Sequence, residues 1–421
     1  MSARGGRARK ARPVLHQRRT TLLHAGWVVL GCAAVLCVIG LHCIELARGG
    51  AAGGQGTGLA ATTMRQAAFG GLGLLAALAV SLPHYRVLIP LGWLILAGVV
   101  GLLVFVLVPV VPDSLVTPRN GARRWINLGP VDFQPSELAK IAYVIATAAY
   151  LRYRSNYRTL AGLIPPGIIA FVPMGLILVE PDLGTALLFI PALVAMLVAA
   201  GARLAHLIGA ASLGLVFAAG VIAVSLVFAQ RGEYPVLRAY QVDRIRAVVD
   251  RARGEQGHDE GRGFQGLQAM TLIGAGGVDG HPTARSAALV KYSSLPEGHN
   301  DMIFAVVVNR FGMVGAAGVI GLYLAMFGAS MLVAAACKDP FGRLLVVGLA
   351  SMTFTQVVIN IGMNVGLLPI TGMTLPFVSY GGSSLVAGFI GVGLICSVAM
   401  RRPPYLWRHS FEYDPRDDDE G

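Results

Sequence analysis

Seven ionisable groups of residues have the types and spacing for chemistry. Glu137 and Lys140 stand three apart in the run Phe133-Gln-Pro-Ser-Glu-Leu-Ala-Lys140. Pro135 and Ser136 mark a helix start, so both side chains share one helix face. Such a pair either neutralises itself as a structural ion pair or forms a polar wall facing a substrate cavity. Just upstream, Gly121-Ala-Arg-Arg-Trp125 brings Arg123 and Arg124 within reach of an anion, and phosphate is the anion that arginine's planar fork matches. Glu180-Pro-Asp-Leu-Gly-Thr185 is an acidic turn. There Asp182 either caps the next helix or helps shape a cavity with Glu137, Glu297 and Asp301. Farther on, Tyr240-Gln-Val-Asp-Arg-Ile-Arg246 contributes Arg244, and Asp259-Glu-Gly-Arg-Gly-Phe-Gln265 contributes a lone aspartate ahead of glycines. Ser294-Leu-Pro-Glu-Gly-His-Asn-Asp301 follows. Last comes a Pro/Gly-rich stretch, residues 366–384, that contains Ser379.

These residues are embedded in an apolar chain. Of 421 residues, 55% are hydrophobic and only 13% charged, against about 25% charged in soluble domains. The mean hydropathy is +0.65. This excludes a water-soluble enzyme, a disordered scaffold and a disulfide-stapled secreted domain. Ten apolar runs can be marked: 21–47, 66–82, 87–111, 137–150, 161–179, 183–200, 207–228, 302–336, 344–367 and 384–400. Each is close to the roughly 20 residues of a membrane span. The expected fold is therefore all-α, a polytopic membrane protein of about ten transmembrane helices. Its parts are a basic tail (1–20), a membrane domain (21–400) with a large outer loop (229–301), and a second tail (401–421).

Charge placement orients the chain. One set of alternate segments, including both tails, holds 18 Lys/Arg; the opposite short loops hold five. The positive-inside rule places both termini in the cytoplasm. The net charge of +12 thus belongs to membrane orientation, and no nucleic-acid partner is expected. The outer loop carries nine Lys/Arg. It is too long for that rule and reads either as a solvated, lipid-hugging loop or as an attractor of phosphates. Cys32, Cys37, Cys43, Cys337 and Cys396 have neither metal nor disulfide spacing, and read as small core residues. His258, His281 and His299 match no ligand motif. The glycines at 274–277 lack the Lys-Ser/Thr of a nucleotide loop.

Five of these pieces resemble the SEDS (RodA/FtsW/SpoVE) family of shape, elongation, division and sporulation proteins. They are Gly-Ala-Arg-Arg-Trp-Ile, Phe-Gln-Pro-Ser-Glu-Leu-Ala-Lys, Glu-Pro-Asp-Leu-Gly-Thr-Ala, Leu-Pro-Glu-x-His-x-Asp-x-Ile-Phe-Ala and the long Gly-Leu-Leu-Pro-x-Thr-Gly-x-Thr-Leu-Pro-Phe-Val-Ser-Tyr-Gly-Gly-Ser-Ser. They occur in the family's order across residues 121–384. The resemblance implies a ten-span peptidoglycan glycosyltransferase of the bacterial cytoplasmic membrane. Such an enzyme polymerises lipid II at the outer face beside a class B penicillin-binding transpeptidase. It also implies Asp259 as the essential acidic residue and Arg244 at a phosphate, with Lys291, Glu297, Asp301 and Ser379 in or near the substrate site. A divalent cation held by the carboxylates fits the same scheme. Asp250, Glu255 and Glu260 are fallback bases. The chain departs from the family pattern where His258 takes the aspartate's register, where Phe264 and Val290 replace Tyr and Gln, and where Asn309-Arg310 replaces an acidic pair. A lipid II flippase and a catalytically weak scaffold for the transpeptidase are the alternatives.

Overall fold

The computed structural model describes residues 24–48, 60–119, 122–129, 131–153, 159–229, 231, 242, 262–293, 295 and 297–401. The helices follow the apolar runs. In order they are α1 (Gly26–Ala47), α2 (Ala61–Ser81), α3 (Leu88–Leu107), α4 (Pro135–Leu151), α5 (Ile164–Val179), α6 (Leu183–Leu187), α7 (Phe189–Ala200), α8 (Leu204–Ala229), α9 (Arg262–Gly276), α10 (Thr283–Tyr292), α11 (Ile303–Ala336), α12 (Pro340–Asn364) and α13 (Gly382–Ala399). Between α3 and α4 lies an antiparallel sheet of β1 (Val116–Arg119), β2 (Ala122–Asn127) and β3 (Asp132–Phe133), in that order. Arg119 pairs with Ala122, and Ile126 with Phe133.

Among the described residues, nine stretches are long and apolar enough to cross a membrane, with α6 and α7 counted as one. The tenth expected span is α4, 17 residues long and carrying the Glu–Lys pair. Local chemistry sets the helix ends. Pro135 opens α4 at a position where its missing N–H costs nothing. The Asp339 side chain accepts from Gly342 N to cap α12. Gly201, at φ 93°, ends α7 in the left-handed region.

Helix α11 is broken near its start. Gly312 has φ 66° and ψ −167°, a conformation open only to glycine at low cost. The turn between α9 and α10 fills the break: Met313 N donates to Gly277 O at 3.0 Å, and His281 N to Arg310 O at 3.3 Å. Asn309, fully buried, accepts from Ser286 Oγ at 2.8 Å and donates to Leu272 O at 3.3 Å. Arg310 donates to His281 O at 3.0 Å and to His42 Nε2 at 3.2 Å. The Asn309-Arg310 pair thus ties the described part of the 229–301 loop to the bundle.

Five helices close a ring. α11 packs on α1 and α12, α12 on α4, α4 on α13, and α13 on α1. Outside the ring, α2 packs on α13, α3 and α5 on α4, and α7 on α12, while α8 buries little of its surface (7% of its apolar window).

Candidate functional site

The first turns of α4 place the central polar group. Lys140 Nζ lies 2.9 Å from Glu137 Oε2, with both side chains at most 12% exposed. The ammonium also donates to Gln356 Oε1 of α12 at 3.1 Å. Gln356 Nε2 in turn donates to Thr374 O at 2.9 Å. The Thr374 and Ser384 hydroxyls are 3.4 Å apart. The pair predicted from spacing is therefore one end of a chain of polar contacts that reaches the Pro/Gly-rich segment and the start of α13. The sequence analysis missed Gln356, Thr374 and Ser384. The available signal was an amide inside the apolar run 344–367.

The ring helices line a pocket that opens to the surface. Glu137, Lys140, Gln356 and Ser384 line it together with apolar residues that include Val29 and Ile395.

A second polar group surrounds the acidic turn. Asp182 caps α6: its Oδ1 accepts from Thr185 N at 3.1 Å, and its Oδ2 from Thr185 Oγ1 at 3.0 Å and Gln134 Nε2 at 3.3 Å. Arg124 Nε donates to Glu180 O at 2.6 Å, and a terminal nitrogen of the same guanidinium donates to Pro181 O. Arg123 reaches Asp113 at 3.6 Å and the carbonyls of Pro109 and Val111. The two arginines therefore staple β2 to neighbouring backbone. The Glu180 carboxyl is 1% exposed, and neither oxygen has a hydrogen-bond partner. Burial, and then the Asp182 charge, push it up to about 8 against the pull of Arg124.

Ser379, Asp301 and Glu297 meet at the 297–301 turn. Ser379 Oγ donates to Asn300 O at 2.6 Å and accepts from Leu375 N at 2.7 Å. Gln66 secures the same segment through Ser379 O and Gly381 N. Asp301 is buried, and Asn360 and Asn364 both donate to its main-chain oxygen at 2.9 Å. Glu297 is exposed, has φ 53°, and accepts from Asn300 Nδ2 at 2.5 Å. Arg48 reaches His299 Nε2 at 2.8 Å. A guanidinium only donates, so this imidazole nitrogen accepts. Burial and Arg48 lower the His299 pKa, and Glu297 opposes them. Lys291 is exposed in the last turn of α10. Asp259, Arg244, Asp250, Glu255 and Glu260 lie outside the described residues. Glu137–Lys140 and Ser379 are thus linked through the 371–384 segment, while Arg123, Arg124 and Asp182 form a separate group on the β2 side.

Comparison with known proteins fits this arrangement. The family model for FtsW, RodA and SpoVE, described as "Cell cycle protein", matches residues 26–403. Stage V sporulation protein E of Bacillus subtilis (strain 168) is 33% identical over 338 residues, covering 80% of this chain and 86% of that protein. A probable peptidoglycan glycosyltransferase FtsW of Coxiella burnetii is 34% identical over 313 residues, covering 73% of this chain and 78% of that one. Among solved structures, a chain of a peptidoglycan synthase complex described as coordinating polymerization and crosslinking aligns with TM-score 0.69 at 30% identity. It covers 89% of this chain and 97% of that one. The Thermus thermophilus rod shape determining protein RodA aligns with TM-score 0.61 at 27% identity and the same coverage. The polytopic helical bundle, the motif order and these matches together place the chain in the SEDS family, with FtsW, RodA and SpoVE.

Proposed function

We propose that this chain is a peptidoglycan glycosyltransferase that polymerises lipid II at the outer face of the bacterial cytoplasmic membrane, with both termini in the cytoplasm. The observation that carries the reading is the buried Glu137–Lys140–Gln356 group. Ionisable side chains at membrane depth are expensive and are kept for a substrate or ion pathway. Here they stand at the head of an apolar cavity, as a lipid-linked polar substrate requires.

The chemistry is an inverting glycosyl transfer. The acceptor 4-hydroxyl oxygen attacks the donor's anomeric carbon as the bond from that carbon to the diphosphate oxygen breaks. The hydroxyl proton passes to a carboxylate, assigned to Asp259, which as a general base contributes about 10²–10⁴-fold. The diphosphate departs with its electron pair and needs no second carboxylic acid if cations hold its charge. Arg244 and Lys140 fill that role. Arg123 and Arg124 are engaged with backbone carbonyls, so for them the reading is a supporting one: they fix the hairpin beside the site. Glu137 holds Lys140 in place, and Asp182, Glu297 and Asp301 fix the turns around it. Lys291 and Ser379 are assigned to the substrate's side of the outer loop and the 371–384 segment.

Among the described residues no three His, Cys, Asp or Glu side chains converge. The Asp182 carboxylate is already filled with donors. The residues therefore do not fit a divalent cation at that point, and no step is routed through one. The class B penicillin-binding transpeptidase is proposed as the partner that cross-links the strands.

The test is strand formation from lipid II by the purified full chain, with and without such a transpeptidase. Polymer from the parent, and none from Lys140→Met matched to it for folded amount, supports the reading. Translocation of lipid II in vesicles without polymer indicates a flippase, and partner binding with no polymer under either condition indicates a scaffold.

A further inference from the structure

The turn that fills the break in α11 is held by its backbone and by one side chain. Met313 N donates to Gly277 O, and His281 N to Arg310 O. The seat is tight, since an added Cβ at Gly280 would collide with Arg310 O and one at Gly276 with Val308 O. The side chain is Arg310. It donates to His281 O of the turn at 3.0 Å and, through Nε, to His42 Nε2 of α1 at 3.2 Å. The guanidinium thus bridges the turn and α1, and it exists because an arginine stands where the family pattern is acidic.

The bridge depends on the state of one ring. A guanidinium only donates, so His42 Nε2 is the bare nitrogen of a neutral imidazole. A protonated ring offers no acceptor and would set two cations in contact. Among the described residues Arg310 forms no ion pair that would hold it instead. Helix α1 packs on α2, α10, α11 and α13, and of their charged groups Arg310 is the one that acts on His42. Arg65 of α2, Arg285 and Lys291 of α10 and Asp279 of the turn are exposed, and α13 carries no charge. On α1 itself Glu45 is engaged with Ala60 N and Thr63. The His281 ring is turned to Ala275 O at 2.8 Å.

We propose that Arg310 is a positioning residue for the carboxylate of the 229–301 loop, that His42 holds it against α1, and that the hold lapses when His42 takes a proton. The inference rests on the polymerase reading, because the carboxylate in question is Asp259. In sequence Asp259 lies three residues ahead of α9, and α9 runs into the clamped turn. At 1.5 Å per residue α9 is about 22 Å long, so the seat of one end sets where the other end points.

The first measurement needs no turnover. Amide hydrogen exchange at His281 and Met313 is followed in the parent, His42→Gln and Arg310→Met full chains in detergent. The range runs from about pH 7.5 to about pH 5, either side of the usual histidine value. Glutamine carries an oxygen to the place of Nε2 and accepts at every pH. Comparing proteins at each pH removes the common effect of pH on exchange. Loss of a hydrogen bond to a charged group is worth about tenfold or more. The parent should therefore match His42→Gln near pH 7.5 and exchange about tenfold or more faster than it near pH 5. Arg310→Met should exchange fast throughout. Slow exchange in Arg310→Met, or parent and His42→Gln alike across the range, overturns the proposal.

The second measurement carries the effect to the reaction. In strand formation from lipid II, kcat/KM of the parent should equal that of His42→Gln near pH 7.5 and fall about tenfold or more below it near pH 5. Matching pH profiles overturn the positioning role. Exchange that differs as expected, with no polymer from either protein, leaves the Arg310–His42 hold standing and removes the polymerase reading.

Discussion

Replacing Glu180 with glutamine should change how stability depends on pH. Folded Glu180 keeps its proton to about pH 8, whereas an exposed glutamate loses it near 4.5. Between those values the folded chain binds more protons than the unfolded one. Stability from this group is therefore full below about 4.5, falls as pH rises, and levels off above about 8. At about 1.4 kcal/mol per unit, the loss over the whole window is roughly 5 kcal/mol. The side chain is 1% exposed, so solvent screening removes little of it. Glu180→Gln keeps the shape and cannot ionise. From pH 6 to pH 8 the variant should gain about 2–3 kcal/mol on the parent. The assay is chemical or thermal unfolding in detergent across that range, read as the difference between the two proteins so that other groups cancel. Parallel stability curves would refute the reasoning.

Three further outcomes follow from the same geometry. Lys140→Met should destabilise by about 3–5 kcal/mol by leaving Glu137 charged and buried without its partner, and adding Glu137→Gln should recover part of that loss in the same unfolding assay. Gly312→Ala meets both a positive φ and the Val278 carbonyl, and should unseat the α9–α10 turn. Faster amide hydrogen exchange at Gly277–His281 would show this, and unchanged protection would contradict it. Arg48→Ala removes a cation that holds the His299 pKa down; a histidine NMR titration should then move upward, and an unmoved one would break the assigned contact.

The spans were legible because hydrophobic runs in a membrane protein have only one regular use. The run 302–336 became α11 almost end to end. Its break at Gly312 was not legible, since a glycine in an apolar run gives no sign that a distant turn will fill the kink. The division of one span into α6 and α7 at Leu188 was not legible either. In the site, Glu137 and Lys140 were readable because i and i+3 share a helix face. Gln356 was not, since its partners, Lys140 and Thr374, come from other elements. At Arg123 and Arg124, charge and position suggested phosphate; what was not legible is that the carbonyls of Val111, Glu180 and Pro181 take some of their donors. Charge in a sequence says what a side chain is able to bind. Only the fold says which acceptor reaches it first.

The central claim, that a carboxylate of the outer loop drives strand formation by this chain, is tested most directly with purified parent and Asp259→Ala proteins given the same lipid II and matched for folded amount by their unfolding transitions. The account predicts glycan strands from the parent and none from the variant. Strands from Asp259→Ala at the parent's rate would contradict it.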